Sequence, residues 1–476
     1  MRRLYTILLA TACVGCAQIP ESKPPAIPMA GTFKESRNAP VANATGAVLL
    51  RPAWWTMFGD EELDGLERRL LENSPDLASA LARYQQASAA TAILRAAQSP
   101  TISASAGMQR SGAREGRPAR TAADAADANS ASVGFDLEYE VDLWGRVRQQ
   151  VRAGVAQEKA AGADFAAARL ALQAQLADTL IALRGADADL ALLRDTEAAY
   201  TRAARLIQRR HELGVASGLD TARAEAQAES TRSQLRQAQA QRAVLEHAIA
   251  ALVGANPSDF GIAPKVVEAG VPAIPVDVPS TLLQRRPDIA AARQRITAAM
   301  ESAGVARGAY FPSVSLGVSG GLQSSQLARL ASLPNLFWAL GAAVAGDVLD
   351  GGRRQAQVVQ AEAALDEAGQ RYRTIVLAAF QQVEDQLALL RHFGEAAVAE
   401  REAAVAAQRA VDLATRRYEQ GGAAYLDVVT AQTASLQARR SNVDLSTRQR
   451  RAAVQLVRAL GGGWSDDALV APPQAQ

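Results

Sequence analysis

One stretch of the chain, Gly317-Val318-Ser319-Gly320-Gly321, has the spacing of a nucleophile elbow, in which a serine on a tight strand-to-helix turn attacks an acyl carbon. That chemistry needs a histidine base and an acid to orient it. The histidines are His211, His247 and His392, and each falls on a run of helical character. The pentapeptide itself lies inside an alternating, strand-like segment. No phosphate-binding loop, dinucleotide fingerprint or metal-spaced Cys/His cluster accompanies it. The pattern points away from catalysis, and neither a cofactor nor a metal is expected. A second set of charged side chains means something else. Asp136, Glu138, Glu140 and Asp142 occupy alternate positions, with Ala131, Val133, Phe135, Leu137, Tyr139, Val141 and Leu143 in the phase between. Carboxylates spaced by two project from one face of a strand and apolar groups from the other.

Period two over about 12 residues is also the pattern of a transmembrane β-strand, apolar toward lipid and polar toward a water-filled lumen. Three segments repeat it. Ile102, Ala104, Ala106 and Met108 alternate with Thr101, Ser103, Ser105, Gly107 and Gln109. Val314, Leu316 and Val318 alternate with Ser313, Ser315, Gly317 and Ser319. Trp338, Leu340, Ala342, Val344 and Val348 share the outward phase. Four strands cannot close a barrel, and open edges do not survive in lipid, so several chains must share one wall. Two chains would give eight strands with a filled interior; three would give twelve strands around a lumen. The wider wall suits the acidic inward face, to which Asp347 would add. A small soluble sheet packed on helices is the competing reading, and it would leave four carboxylates on an exposed face without a basic partner. Small-residue segments at 110–130 and 323–335 would be outer turns.

These strands are positioned by long helices. The chain from Arg353 to Leu460 is a second version of the chain from Arg146 to Gly254. Each begins with a proline-free run of about 65 residues, close to 100 Å of helix at 1.5 Å per residue. Each breaks at a glycine-bearing tip, HELGVASGLD (211–220) or YEQGGAAYLD (418–427), and resumes as a second long run. Asn-Ser-Pro-Asp at 73–76 matches Arg-Arg-Pro-Asp at 285–288. The displacement that pairs Trp144-Gly145-Arg146 with Gly351-Gly352-Arg353 also pairs Leu219-Asp220 with Leu426-Asp427. Two copies of one unit, each reading helix, strand, loop, strand, long helix, tip, helix, therefore occupy 73–255 and 285–462. A Pro-rich crossover at 256–284, read as extended and exposed, joins them. Gly214 and Gly421 are needed to end helices in a left-handed residue. Asp220 and Asp427 fall in a first helical turn, where the macrodipole favours an acid.

The N-terminus carries an address. Residues 1–15 combine two arginines, a short apolar core and small residues before Cys16, as in a secretory signal peptide too short to span a membrane. CVGC-AQIP around Cys16 resembles a bacterial lipobox, whose cysteine is lipidated and becomes the new N-terminus. The other cysteine is Cys13, so a mature chain could hold no internal disulfide. With 51 Lys+Arg scattered among 49 Asp+Glu, no nucleic-acid surface is expected.

Several motifs in order carry a wider resemblance: GC-AQIP (15–20), WWTMFGDEELDGL (54–66), NSPDLASALARYQQA (73–87), YEVDLWGR (139–146), RRPDIAAARQRI (285–296), YFPSVSLG (310–317) and YLDVVTAQ (425–432). The chain resembles outer-membrane efflux proteins of the TolC-like family, in their lipoprotein branch. The resemblance implies a mainly α, internally duplicated fold with a small β part. Three copies would form a twelve-strand barrel in the outer membrane of a Gram-negative bacterium, continued by a long helical barrel through the periplasm. It further implies a lipid anchor on 16–72 next to an equatorial part, and a tail at 463–476. The tips would close the tunnel and meet a periplasmic adaptor protein and an inner-membrane pump of the RND or ABC type. Asp427 takes the first position of the family's acidic gate pattern, Thr430 stands at the second, and Asp220 is the equivalent in the first repeat. Gly214, Val215, Gly421, Gly422 and Ala423 would be the docking tips. The function so implied is a passive exit duct for small molecules. A type I protein-secretion channel shares the architecture, and a soluble periplasmic coiled-coil adaptor is the rival of another class.

Overall fold

The computed structural model describes residues 31–38, 52–111, 128–267, 270–276 and 282–465. The expected signal peptide, Cys16, most of the 110–130 segment and most of the C-terminal tail lie outside them. The order is α1 (Glu61–Asn73), α2 (Pro75–Ala96), β1 (Thr101–Ser111), β2 (Ala128–Glu140), α3 (Arg146–Glu212) and α4 (Gly218–Leu252). After the crossover come α5 (Pro287–Gly308), β3 (Ser313–Ser324), β4 (Leu336–Ala345), α6 (Arg353–Glu419) and α7 (Tyr425–Ala459). The duplication is metrical: α2 and α5 each have 22 residues, α3 and α6 each 67, α4 and α7 each 35. Proline opens both α2 and α5, where its missing N–H costs nothing.

Each repeat closes on a glycine that no other residue could replace. Gly254 and Gly461 have positive φ, and a Cβ there would meet the carbonyl oxygens of Asn73 and Arg285 at 2.2 and 2.0 Å. These are the residues just ahead of each Pro-Asp helix start, so the end of a repeat is seated against its beginning.

The chain divides into two compact units. Among the described residues, one holds Tyr84–Ala161 and Ala292–Tyr372, with all four strands. They form one antiparallel sheet in the order β1-β2-β3-β4. The register aligns Ile102, Leu137, Val318 and Leu340 in one cross-strand row and Ser103, Asp136, Ser319 and Ala339 in the next. One face is thus apolar and largely exposed, the other polar on β1, β2 and β3 but lined by Phe337, Ala339, Gly341 and Ala343 on β4, with β1 and β4 as edges. Ser319 lies in the middle of β3, without the turn a nucleophile elbow needs.

The second unit holds the rest of the long helices and the α1 region. Its core gathers Trp54 and Leu63, Leu66 and Leu70 of α1 with Leu176, Leu180 and Leu183 of α3. Val383 and Leu387 of α6 join Leu456 and Val457 of α7. Asp60 caps α1 by accepting the Glu62 N–H at 3.1 Å. The crossover is largely exposed, as expected of a linker, but it is anchored at two points. Ile262 and Ile274 are buried in the same core, and the Ile262 carbonyl accepts from Arg242 while its N–H donates to Glu246. Apolar side chains between the prolines anchor a segment that composition alone marks as exposed.

Candidate functional sites at the strand ends and the helical tips

The strand ends come first along the chain. β2 stops at Glu140, three residues short of the alternating stretch. The reason is local competition for Asp142. Its carboxylate accepts the N–H groups of Val147 and Arg148 at 3.1 and 2.9 Å and so caps α3. Burial opposes its ionisation, but those two bonds and the Arg148 guanidinium outweigh burial and hold its pKa below the usual range. Asp350 does the same at the second junction, accepting from Gly352 and Arg354, with the Arg354 side-chain bond the leading cause of its lowered pKa. β4 likewise ends at Ala345, so Val348 lies beyond the strand.

This geometry redistributes the expected lumen acids. Asp136 and Glu138 remain exposed on the polar face. Glu140 is paired with Arg146, Asp142 with Arg148 and Asp347 with Arg353, so these three are neutralised at the helix starts. Trp144 stacks on Phe311 with centroids 5.0 Å apart and donates its indole N–H to the Pro312 carbonyl at 2.8 Å. It packs the junction between the two repeats.

Both tips are built by one turn. The N–H of Gly214 donates to His211 and that of Val215 to Arg210; Gly421 donates to Tyr418 and Gly422 to Arg417 in the same pattern. Gly214 and Gly421 have φ near +75° and +74°, the left-handed residue of a Schellman motif. Beyond it the tips differ. Ser217 caps α4 by accepting the Asp220 N–H at 3.1 Å, whereas Ala424 has no side-chain acceptor to offer α7. There Asp427 reaches back instead, accepting the Ala424 N–H at 3.3 Å. Thr430 is exposed and donates to the Leu426 carbonyl at 2.8 Å, while Asp220 stands 4.0 Å from Arg223. Leu213, Val215 and Leu219 leave apolar surface on the first tip; Gly421 and Gly422 are exposed on the second, and Ala423 is half-buried.

The tips are joined by residues that the sequence reading does not single out. Tyr425 and Val428 of α7 pack against Ile207 of α3 and Ala224 of α4. The Tyr418 ring lies 5.2 Å from that of Tyr425, and the Arg210 guanidinium sits 5.9 Å from the Tyr418 centroid. Burial pushes the Tyr425 hydroxyl up to about 12, helped by Tyr418, Asp220 and Tyr200. Tyr200 donates to the Gln432 carbonyl at 3.1 Å. The available signal was the Tyr418–Tyr425 spacing across the tip, where the first repeat has His211 and Gly218. Farther along α3, α4 and α7, Asp189 is clamped by Arg440 at 2.8 Å and Asp178 by Arg451 at 2.9 Å. They line an open polar groove of about 920 Å³.

The sequence profile described as outer membrane efflux protein matches residues 66–255 and 278–462. The chain is 32% identical over 469 residues to the outer membrane protein OprJ of Pseudomonas aeruginosa, covering 97% of this chain and 95% of that one. It is 30% identical over 477 residues to the toluene efflux pump outer membrane protein TtgF of Pseudomonas putida, covering 97% of each. The solved outer-membrane channel OprN superposes with a TM-score of 0.87 at 27% identity, over 94% of this chain and 100% of that one.

Proposed function

The chain belongs to the outer membrane efflux protein family, and from that premise we propose that it is the outer-membrane exit duct of a tripartite export system for small organic molecules. It resides in the outer membrane and serves as a channel. The observation that carries this reading is the sheet. One cross-strand row is wholly apolar, with Ile102, Val318 and Leu340 exposed and Leu137 half-buried, the neighbouring row is polar on β1 to β3, and both edge strands need partners. Backbone groups at an open edge are not tolerated in lipid, so further copies must complete the wall. Three copies give a barrel with a lumen.

In this assembly Cys16 carries the lipid, and the tips meet an adaptor driven by an inner-membrane pump. Asp427 forms the acidic ring of the gate, with Thr430 one turn on and Asp220 on the neighbouring tip. Gly214, Val215, Gly421, Gly422 and Ala423 accept the adaptor, because small side chains let another helical hairpin approach closely. The name of TtgF, a toluene efflux pump outer membrane protein, favours efflux of small compounds over protein secretion. Full-length protein extracted in detergent should run as heat-modifiable trimers and conduct ions in planar bilayers. A monomer without conductance would refute the duct.

A further inference from the structure

The N-terminal segment is fastened to α6 by a built site. Phe33 is 3% exposed and joins the core beside Val383 and Leu387 of α6. The two residues after it give consecutive backbone N–H groups to one carboxylate: Lys34 donates to Oε1 of Glu384 at 2.7 Å and Glu35 to Oε2 at 3.0 Å. The Glu35 side chain then pairs with Arg391 at 2.8 Å. Glu384, Leu387 and Arg391 follow one another at helical spacing along one stripe of α6. Ser36 closes the turn by donating to the Phe33 carbonyl at 2.8 Å.

The same stripe exists on α3 and holds something else. The displacement that pairs Asp220 with Asp427 also pairs Leu176 with Val383, Leu180 with Leu387 and Arg184 with Arg391. Arg184 meets the start of α1 through Asp60 and Glu62, and the crossover through the Ala263 carbonyl. Each long helix is thus clasped at one height by an arginine that grips an incoming segment. The two arginines differ in depth. The Arg184 side chain is 3% exposed and also meets Asp187, 1% exposed, although its partner Glu62 is 43% exposed; Arg391 and Glu35 are 19% and 16% exposed. Water reaches the second clasp, and a charge pair open to water shifts an equilibrium by no more than roughly fivefold.

We propose that residues 33–36 form a releasable clasp on α6, and that its release frees the α6–α7 hairpin while α3 stays held. The far end of α6 carries the second tip, so the clasp fixes the last firm hold before that tip. Between Arg391 and Tyr418 the only α6 residue classed as buried is Ala397. The link from clasp to opening rests on the duct reading above; the link from clasp to tip does not.

Spin labels on Leu213→Cys and Gln420→Cys in the full-length protein measure the separation of the two tips. The Glu384→Gln/Arg391→Gln variant should broaden that distance distribution and expose the N-terminal segment to limited proteolysis. In bilayers it should raise the frequency of opening roughly two- to fivefold. Glu384→Asp, which keeps the carboxylate, should behave as wild type, and Glu35→Gln gives a milder version if the double variant folds poorly. An unchanged tip distance with the segment released overturns the proposal, and so does a segment that stays protected. A wild-type protein that never conducts would refute the duct and leave the distance measurement to judge the clasp.

Discussion

The helices α3 and α6 have equal length and descend from one repeated unit, yet they live in different surroundings. α3 buries Leu176, Leu180, Leu183, Leu190, Leu193, Tyr200 and Ile207, and leaves exposed only Leu206 among its large apolar side chains. α6 buries Tyr372, Val376, Val383 and Leu387, and leaves Val359, Leu377, Leu389, Val398, Val405 and Leu413 in the open. An apolar stripe on a helix needs a cover, and within one protomer α3 has its cover while α6 waits for one. The duplication therefore supplies two rods of the same reach with different tasks. One is a keel inside the protomer; the other presents a face suited to a neighbouring copy. The sharpest test compares positions related by the repeat, Leu183 on α3 and Leu390 on α6. Leu183 is fully buried and Leu390 only partly. Leu183→Ala should cost about 3 kcal/mol and Leu390→Ala about 1 kcal/mol, read as lowered midpoints of thermal unfolding. Equal costs would erase the distinction.

The same contrast holds for the acids that face the two helices. Glu35 meets α6 partly buried and paired, whereas Glu67 is fully buried against α3 and neither carboxylate oxygen has a partner of good geometry. Burial pushes the Glu67 carboxyl up to about 8, with Arg169 and the Gln173 amide pulling the other way and Asp64 adding to the rise. In the unfolded chain the group titrates near 4.5. The folded state therefore holds a proton that the unfolded state releases between those values. The unfolded chain is favoured increasingly as pH rises from about 4.5 to about 8, and below that window the effect vanishes. At pH 7 the penalty is about 3 kcal/mol. Glu67→Gln should remove it, raising the unfolding midpoint at neutral pH and leaving the midpoint at pH 4 unchanged. A variant no more stable than wild type at pH 7 would show that Glu67 is ionised and solvated in place.

How much of this was legible in the sequence depends on the range of each signal. The equal long helices, the tips and the alternating strands follow from proline placement and from periods of two, which are local. The end of β2 did not follow, because Val141 and Leu143 continue the alternation while Asp142 is already committed to capping α3. Period alone cannot register that a side chain has turned to a helix start four residues on. The pairing of Glu140, Asp142 and Asp347 with arginines was missed for the same reason, although Arg146, Arg148 and Arg353 stand nearby in the chain. The two anchor points of the crossover and the clasp of Phe33 on α6 were out of reach altogether, and the Tyr425 cluster left only the Tyr418–Tyr425 spacing as a trace. Each joins residues far apart in sequence and is recorded only in three-dimensional packing.

At the tips the contrast between repeats narrows to single turns. Gly421 needs a left-handed backbone, and a Cβ there costs about 1–2 kcal/mol. Nothing lies within 4 Å of the position, so Gly421→Val strains the turn without displacing a neighbour. It should abolish export while trimers and their conductance persist, since the proposed docking surface changes and the barrel does not. Intact export would count against docking at that turn.

The smallest effect separates Asp220 from Asp427. Ser217 already caps α4, so Asp220→Asn loses only a favourable interaction with the helix end and a long, 4.0 Å pairing with Arg223. Ala424 offers α7 nothing, and Asp427 is the side chain that satisfies the free N–H there. An amide oxygen can still accept that bond, so Asp427→Asn should cost no more than about 0.5 kcal/mol in stability. Its charge is another matter. Three copies of Asp427 drawn around one axis would favour cations, and their loss should lower the cation preference of the bilayer conductance, whereas Asp220→Asn should leave it unchanged. If both substitutions move selectivity alike, the acidic ring is shared between the tips and the repeats are functionally closer than their caps suggest.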